Sequence, residues 1–170
     1  MSSDDAVQVD ALKEEGKQHF QSGAFEEASK CYKAALELQP QNHVLHNNLA
    51  MCAIKLRWWP IAMDHADRAL VLTAGNDAKA WYRRGLVFLE TDMCALAAFY
   101  DFKQASALEP SNKQIKASLY ELRSAMPSRY DGWKEYPRRA LDPHWEAVIL
   151  HMNLDQSPLV NLYWTDFTDN

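Results

Sequence analysis

The chain has 170 residues and a formal net charge of −5. Hydrophobic residues make up 48% of it and charged residues 24%, which is typical of one globular domain. The negative net charge argues against nucleic acid as a partner, and no apolar stretch is long enough to predict a membrane span.

Cysteine usage and the N-terminal residues bear on the cellular compartment. The three cysteines, Cys31, Cys52 and Cys94, contain no Cys-x-x-Cys pair, and the sequence starts without a basic segment followed by an apolar one. This pattern is typical of a reducing compartment. We therefore expect a cytoplasmic or nuclear location, with each cysteine acting as a small buried apolar residue.

A pattern of small and aromatic residues occurs three times in the chain. The three copies share one spacing and consist of Ala28, Tyr32, Ala35 and Pro40; Ala62, Ala66, Ala69 and Ala74; and Ala98, Phe102, Ala105 and Pro110. The second copy has alanine in place of both the aromatic residue and the proline. A repeat of roughly 34 residues predicts stacked helix pairs.

Each unit also contains a preceding stretch with apolar or small residues at i, i+4 and i+8. These positions are Leu12, Gly16 and Phe20; His46, Ala50 and Ile54; and Trp81, Gly85 and Leu89. The spacing predicts a first helix whose small central residue lets a neighbouring helix approach closely. Asn42, Asn76 and Asn112 precede predicted helices and are expected to cap them.

Together these features resemble the tetratricopeptide repeat (TPR) family over residues 7–126. The resemblance includes Gly-Ala-Phe at 23–25 and Trp-Tyr-Arg-Arg-Gly at 81–85. It implies an all-α fold, in which three helix-turn-helix repeats form a right-handed superhelical solenoid. Residues 112–126 then form a C-terminal capping helix, so that the repeat domain covers residues 1–126.

The charge differs between segments of the chain. Residues 1–42 contain four basic and eight acidic residues, residues 43–126 ten and eight, and residues 127–170 four and seven. The middle segment is therefore net basic. We expect an anionic ligand to be attracted to the second and third repeats.

Several polar residues of the predicted first helices resemble the dicarboxylate clamp of chaperone-cofactor TPR domains. The resemblance implies that a peptide carboxylate is bound by Lys13, Lys17, Asn48, Lys79 and Arg83. Lys17 departs from the family, which usually has Asn there. In that family the clamp binds the C-terminal tails, ending Glu-Glu-Val-Asp, of the seventy- and ninety-kilodalton heat-shock chaperones.

Residues one helical turn further along are predicted to line the groove beside this clamp. They are Met51, Ile54, Lys55 and Leu89. Such a strip suits an apolar residue of an extended peptide. The alternative for Ile54 and Leu89 is packing between helices.

The sequence indicates neither an enzyme nor a cofactor. It has no glycine-rich phosphate loop and no nucleophile elbow. His43 and His46 are three residues apart but no carboxylate or cysteine follows at a suitable spacing, and His19 and His65 are isolated. We therefore predict no metal site, no cofactor and no catalytic residue.

The repeats stop at Pro127, and residues 127–170 form an extension rich in aromatic residues. Asp142 and Pro143 predict the start of a helix over about 143–153. Three roles stay open for this extension. It covers the solenoid, it binds a second protein, or its acidic end enters the basic groove.

The function predicted from sequence is a non-enzymatic co-chaperone-like adaptor, whose groove binds the acidic C-terminal peptide of a heat-shock chaperone. One alternative is a scaffold that recognises an internal segment of another protein. The other is a regulatory module of a larger enzyme, such as a phosphatase or a prolyl isomerase.

Overall fold

The computed structural model describes residues 3–91 and 95–125. In these two stretches the backbone forms seven α-helices and no β-strand. They are α1 (Ser3–Gln21), α2 (Phe25–Leu38), α3 (His43–Lys55), α4 (Trp59–Leu72), α5 (Ala78–Glu90), α6 (Ala95–Leu108) and α7 (Lys113–Ala125). The predicted all-α class is confirmed. The extension 127–170, with its predicted helix, lies outside the described residues.

The helices form three antiparallel pairs, α1 with α2, α3 with α4 and α5 with α6. The second helix of one pair packs on the first helix of the next, α3 also contacts α5, and α7 packs on α6. This arrangement is the predicted helical solenoid with its added last helix. No helix within the described residues combines the length and the apolar character that crossing a bilayer requires.

Polar side chains start the first helices of the second and third pairs and the last helix. The Asn42 carboxamide oxygen accepts hydrogen bonds from two backbone N–H groups of α3, and Asn112 does the same for α7. These two predicted caps are confirmed. The cap of α5 is Asp77 and not the predicted Asn76, because this turn is one residue longer than the others. Asp77 follows Ala74 by three residues, whereas the other two caps follow the equivalent prolines by two.

The turn after α4 explains why the second repeat has no proline there. Ala74 and Gly75 have φ angles of 50° and 77°, which proline cannot adopt. The Gly75 N–H donates to the Leu70 carbonyl and the Ala74 N–H to the Val71 carbonyl. This pair of bonds is a Schellman motif, which ends the helix without a proline.

Close approach between the two helices of a repeat depends on glycine. A Cβ atom on Gly16 would lie 2.7 Å from a ring carbon of Tyr32, and one on Gly85 would lie 2.6 Å from a ring carbon of Phe102. Tyr32 and Phe102 are both buried. A small residue is therefore needed at each of these positions, as predicted, because an aromatic ring of the partner helix occupies the space that a side chain would take.

Two histidines form a partly buried contact between α3 and α4. His46 Nδ1 lies 3.0 Å from His65 Nδ1, and His46 Nε2 lies 3.1 Å from the Pro40 carbonyl oxygen. Because a carbonyl only accepts, His46 Nε2 carries the proton and donates it. In a neutral His46 ring, Nδ1 then accepts from the N–H of His65.

Burial disfavours the charged form of both rings. It is the main cause that lowers the pKa of His46, and it lowers the pKa of His65 to about 4, with the neighbouring His46 adding to the effect. Asp64 acts in the opposite direction and Arg68 in the same direction. The fold therefore holds both histidines neutral near pH 7.

We predict that Gly85→Ala lowers the free energy of unfolding by about 1 kcal/mol. Alanine favours the helix by about 1 kcal/mol, but overpacking against Phe102 costs roughly 1–3 kcal/mol. Denaturant unfolding measures the difference. In a Phe102→Leu background, where the ring is gone, the same change should be neutral or stabilising. A stabilising effect in the wild-type background would contradict the close approach.

A second prediction concerns pH. The folded-state pKa of His65 lies below its ordinary value of 6.5, so its contribution to stability is fully present above pH 6.5 and is lost as the pH falls towards 4. The expected loss by pH 4 is about 3 kcal/mol, since one pKa unit corresponds to about 1.4 kcal/mol. In His65→Asn, which keeps an N–H donor but does not titrate, denaturant unfolding should show a smaller loss. A profile identical to wild type would contradict this assignment.

Candidate functional site

A groove with a volume of about 510 Å³ lies along the first helices of the repeats. Residues of α1, α2, α3 and α5 line it, so that it depends on all three helix pairs. The lining residues are Asp10, Lys13, Glu14, Lys17, Phe20, Tyr32, Asn48, Met51 and Arg83. The groove is therefore formed by residues of all three repeats, and both charged and apolar side chains line it.

The two lysines on α1 each pair with an acidic residue one turn earlier. Lys13 Nζ lies 3.1 Å from Asp10 Oδ1, and Lys17 Nζ lies 3.2 Å from Glu14 Oε2. These pairs offset the repulsion between the like charges of Lys13 and Lys17, which lie one helical turn apart. Because they are exposed, each contributes little to stability, and both lysines can exchange their partner for another carboxylate.

Arg83 on α5 presents unused hydrogen-bond donors. Its Nε and Nη1 atoms are buried and have no hydrogen-bond partner among the described residues. Burial lowers the pKa of the guanidinium to about 10, and the negative charge of Asp77 opposes this shift. Arg83 therefore stays protonated at neutral pH. A buried cation with unused donors is costly, and a bound anion would supply the missing acceptors.

The helix that carries this arginine is positioned by Asp77. Asp77 Oδ1 accepts from the backbone N–H groups of Lys79 and Ala80, which begins α5. Its Oδ2 accepts from Asn47 Nδ2 at 2.6 Å and lies 3.0 Å from His43 Nδ1, and both of these residues are on α3. One carboxylate therefore sets the start of α5 relative to α3, and with it the two sides of the groove.

Apolar side chains form the rest of the groove. Met51 and Phe20 are half-buried, and Tyr32 is buried with its ring against Gly16. Burial raises the pKa of Tyr32 to about 12, so its hydroxyl is neutral. Asn48 is half-buried and lies one turn before Met51. The groove can accordingly hold an extended chain with both charged and apolar side chains.

The remaining predicted site residues lie outside the lining of this groove. Lys79 is exposed, one turn before Arg83. Lys55 and Leu89 are also exposed. Ile54 packs in a small apolar cluster with Ala53, Ala62 and Val87. For Ile54 the structure thus shows the packing alternative, because its position on α3 faces the neighbouring helices.

Adjacent arginines on α5 have opposite environments. Arg84 is fully buried and donates through Nε and Nη2 to Asp101, both at 2.8 Å, and through Nη1 to Asp67 at 3.0 Å. Its guanidinium also lies 4.7 Å from the centre of the Trp81 ring. The family resemblance assigned Arg83 to the carboxylate site and gave Arg84 no role of its own. The 100° rotation between successive helical residues turns one to the groove and the other to the core.

The sequence did not predict that acidic and aromatic residues also line the groove, namely Asp10, Glu14, Phe20 and Tyr32. Asp10 and Glu14 precede the two lysines by three residues, a spacing that could have indicated the pairing. Both carboxylates are potential metal ligands, but each is already paired with a lysine. A separate group that could hold a metal, Glu15, His19 and Cys31, lies outside the groove.

Comparisons with known proteins agree with the fold. A family model described as TPR repeat matches residues 16–51. The Hsp70-Hsp90 organizing protein of Triticum aestivum is 32% identical over 141 residues, which are 82% of this chain and 22% of that protein. Peptidyl-prolyl cis-trans isomerase FKBP4 of Bos taurus is 32% identical over 135 residues, which are 70% of this chain and 29% of that protein.

A solved structure is similar over most of the repeat region. It is the first TPR of Spaghetti (RPAP3) bound to the HSP90 peptide SRMEEVD, with 28% identity and a TM-score of 0.65. The match covers 70% of this chain and 93% of that chain. By contrast, the chain spans less than a third of the length of the two curated relatives.

We predict opposite effects on stability for the two neighbouring arginines. Arg83→Met should raise the free energy of unfolding by about 1 kcal/mol, because it removes buried donors that lack acceptors. Arg84→Met should lower it by about 3–5 kcal/mol, because Asp101 would keep a buried charge without its main partner. Denaturant unfolding without ligand measures both. Equal destabilisation would make Arg83 a structural residue.

Proposed function

We propose that this chain, whose described helices carry the tetratricopeptide repeat fold, is a non-enzymatic adaptor that binds the acidic C-terminus of a heat-shock chaperone. The ligand is an extended peptide of the Glu-Glu-Val-Asp type, from the seventy- or ninety-kilodalton chaperones. The observation that carries the proposal is the pair of buried, partnerless Arg83 nitrogens in a groove that also contains Lys13, Lys17 and Asn48.

The charges of the groove support a carboxylate ligand. The last residue of such a peptide has two carboxylates, one on its side chain and one on the main chain. Arg83 can donate charge-assisted hydrogen bonds to one of them, while Lys13 and Lys17 leave their weak surface pairs to bind the other. Asn48 adds a neutral donor at the same groove.

Lys17 makes the charge of this groove differ from that of the clamp in the TPR family. Where the family has an amide, Lys17 adds a positive charge, and Glu14 offsets it at 3.2 Å. The net charge at this end of the groove is therefore similar, although the donor is longer and less directional. Lys79, exposed one turn before Arg83, attracts the peptide over a longer range and does not line the groove.

The compared proteins support the same ligand class. The similar solved TPR structure contains an HSP90 peptide that ends in Glu-Glu-Val-Asp, and the wheat relative is named for organising Hsp70 and Hsp90. The bovine relative is a prolyl isomerase. This observation favours, as a second candidate, a TPR module that belongs to a larger enzyme and supplies its chaperone contact.

We predict that a peptide ending Glu-Glu-Val-Asp binds with a micromolar dissociation constant, about −7 to −8 kcal/mol, and more weakly at high salt. Its C-terminal amide should bind at least about tenfold more weakly, because one charge-assisted contact is lost. Isothermal titration calorimetry measures both. Equal affinity of acid and amide would refute a carboxylate site and favour recognition of an internal segment.

Two variants localise the interaction to the groove. Arg83→Met should abolish measurable binding while the protein stays folded, so that lost affinity is separated from lost structure. Lys55→Ala is the matched control, since Lys55 is an exposed cation outside the groove lining. A similar loss of affinity in both variants would indicate nonspecific electrostatic binding.

A further inference from the structure

Three potential metal ligands meet on the first helix pair, away from the groove. Glu15 and His19 are one turn apart on α1, and His19 Nε2 lies 3.8 Å from Glu15 Oε1. Cys31 on α2 completes the group, and the three ligand atoms all lie within 4.8 Å of one another. The sequence alone predicts an isolated His19 and a Cys31 that acts as a small buried apolar residue. The packing of α1 on α2 brings them together.

The chemistry of this group matches zinc. A thiolate, an imidazole and a carboxylate are the ligand types that Zn²⁺ uses, at bond lengths of about 2.0–2.3 Å. In a tetrahedral site such bonds place neighbouring ligand atoms roughly 3.3–3.7 Å apart. The Glu15 to His19 separation is already close to this value. Cys31 and His19 are half-buried and Glu15 is exposed. Side-chain rotation can therefore shorten the remaining distances between ligand atoms to those of a tetrahedral site.

The local charge also suits a divalent cation. Without a metal, burial and then the negative charge of Glu15 raise the pKa of the Cys31 thiol, so that it is protonated at neutral pH. A cation between the two groups would neutralise the charge of Glu15 and stabilise the thiolate directly. One carboxylate and one thiolate together neutralise the charge of Zn²⁺.

We propose that Glu15, His19 and Cys31 bind one Zn²⁺ ion, with the fourth position open to water. On binding, the Cys31 S–H bond breaks, its electron pair forms the S–Zn bond, and the proton passes to bulk water. His19 coordinates through the neutral Nε2 atom. The site links α1 to α2 within the first repeat, on the helix that also carries Lys13 and Lys17.

The test uses the full chain without an affinity tag. Titration with Co²⁺ should give a thiolate-to-cobalt charge-transfer band and the visible bands of a tetrahedral site, saturating at one equivalent, and Zn²⁺ should displace the Co²⁺. Cys31→Ser should abolish the charge-transfer band. His19→Gln should weaken Zn²⁺ binding by more than the roughly 10- to 100-fold that loss of an outer-shell partner costs.

Matched controls separate this site from other thiols and imidazoles. Cys52→Ala removes a fully buried cysteine, and His43→Gln removes an exposed histidine of α3. Both should bind Co²⁺ and Zn²⁺ as the wild type does. Loss of the charge-transfer band in Cys52→Ala with retention in Cys31→Ser would overturn the assignment.

A measurement on the unmodified protein guards against variants that fail to fold. Stoichiometric Zn²⁺ should slow the alkylation of Cys31 by iodoacetamide at least tenfold, as peptide mapping by mass spectrometry would detect. Unchanged alkylation of Cys31 at one equivalent of Zn²⁺ would overturn the proposal. So would the absence of a thiolate-to-cobalt band at micromolar protein concentration.

Discussion

The buried guanidinium of Arg84 is the interaction on which the position of α5 depends. It binds Asp101 of α6 through two hydrogen bonds and Asp67 of α4 through a third, so three helices meet at one side chain. Burial raises the pKa of Asp67, while the nearby Arg84 charge acts in the opposite direction. The network is therefore favourable only while its charges remain together, and it sets α5 in one rotational position.

The position of α5 also determines that Arg83, the residue before Arg84, is oriented towards the groove. With Arg84 turned into the core, Arg83 must point towards the groove lined by α1 and α3. There it keeps its charge with two buried donors unused, while Asp77 connects the start of its helix to α3. The protein thus holds an arginine ready for an acceptor at some cost to its own stability, as binding sites commonly do.

The two proposals give the first helix two binding faces. One face carries Lys13 and Lys17 to the groove, each in an exchangeable pair with an acidic neighbour. The other brings Glu15 and His19 to Cys31 of α2. As the first helix of the array, α1 packs mainly on α2. A metal ion between these two helices would therefore restrain the helix that supplies the groove lysines.

The sequence by itself determined the number of repeats and their helix pairs, because helical periodicity and capping are local properties that spacing reveals. Its resemblance to the clamp family indicated Lys13, Lys17, Asn48 and Arg83, and helical spacing added Met51. These five residues line one groove in the structure. Only the tertiary structure decided which charges were already paired, which donors remained unused, and which distant ligands came together. Those properties depend on burial and on the rotation of one helix against another, and neither can be read from spacing along a single chain.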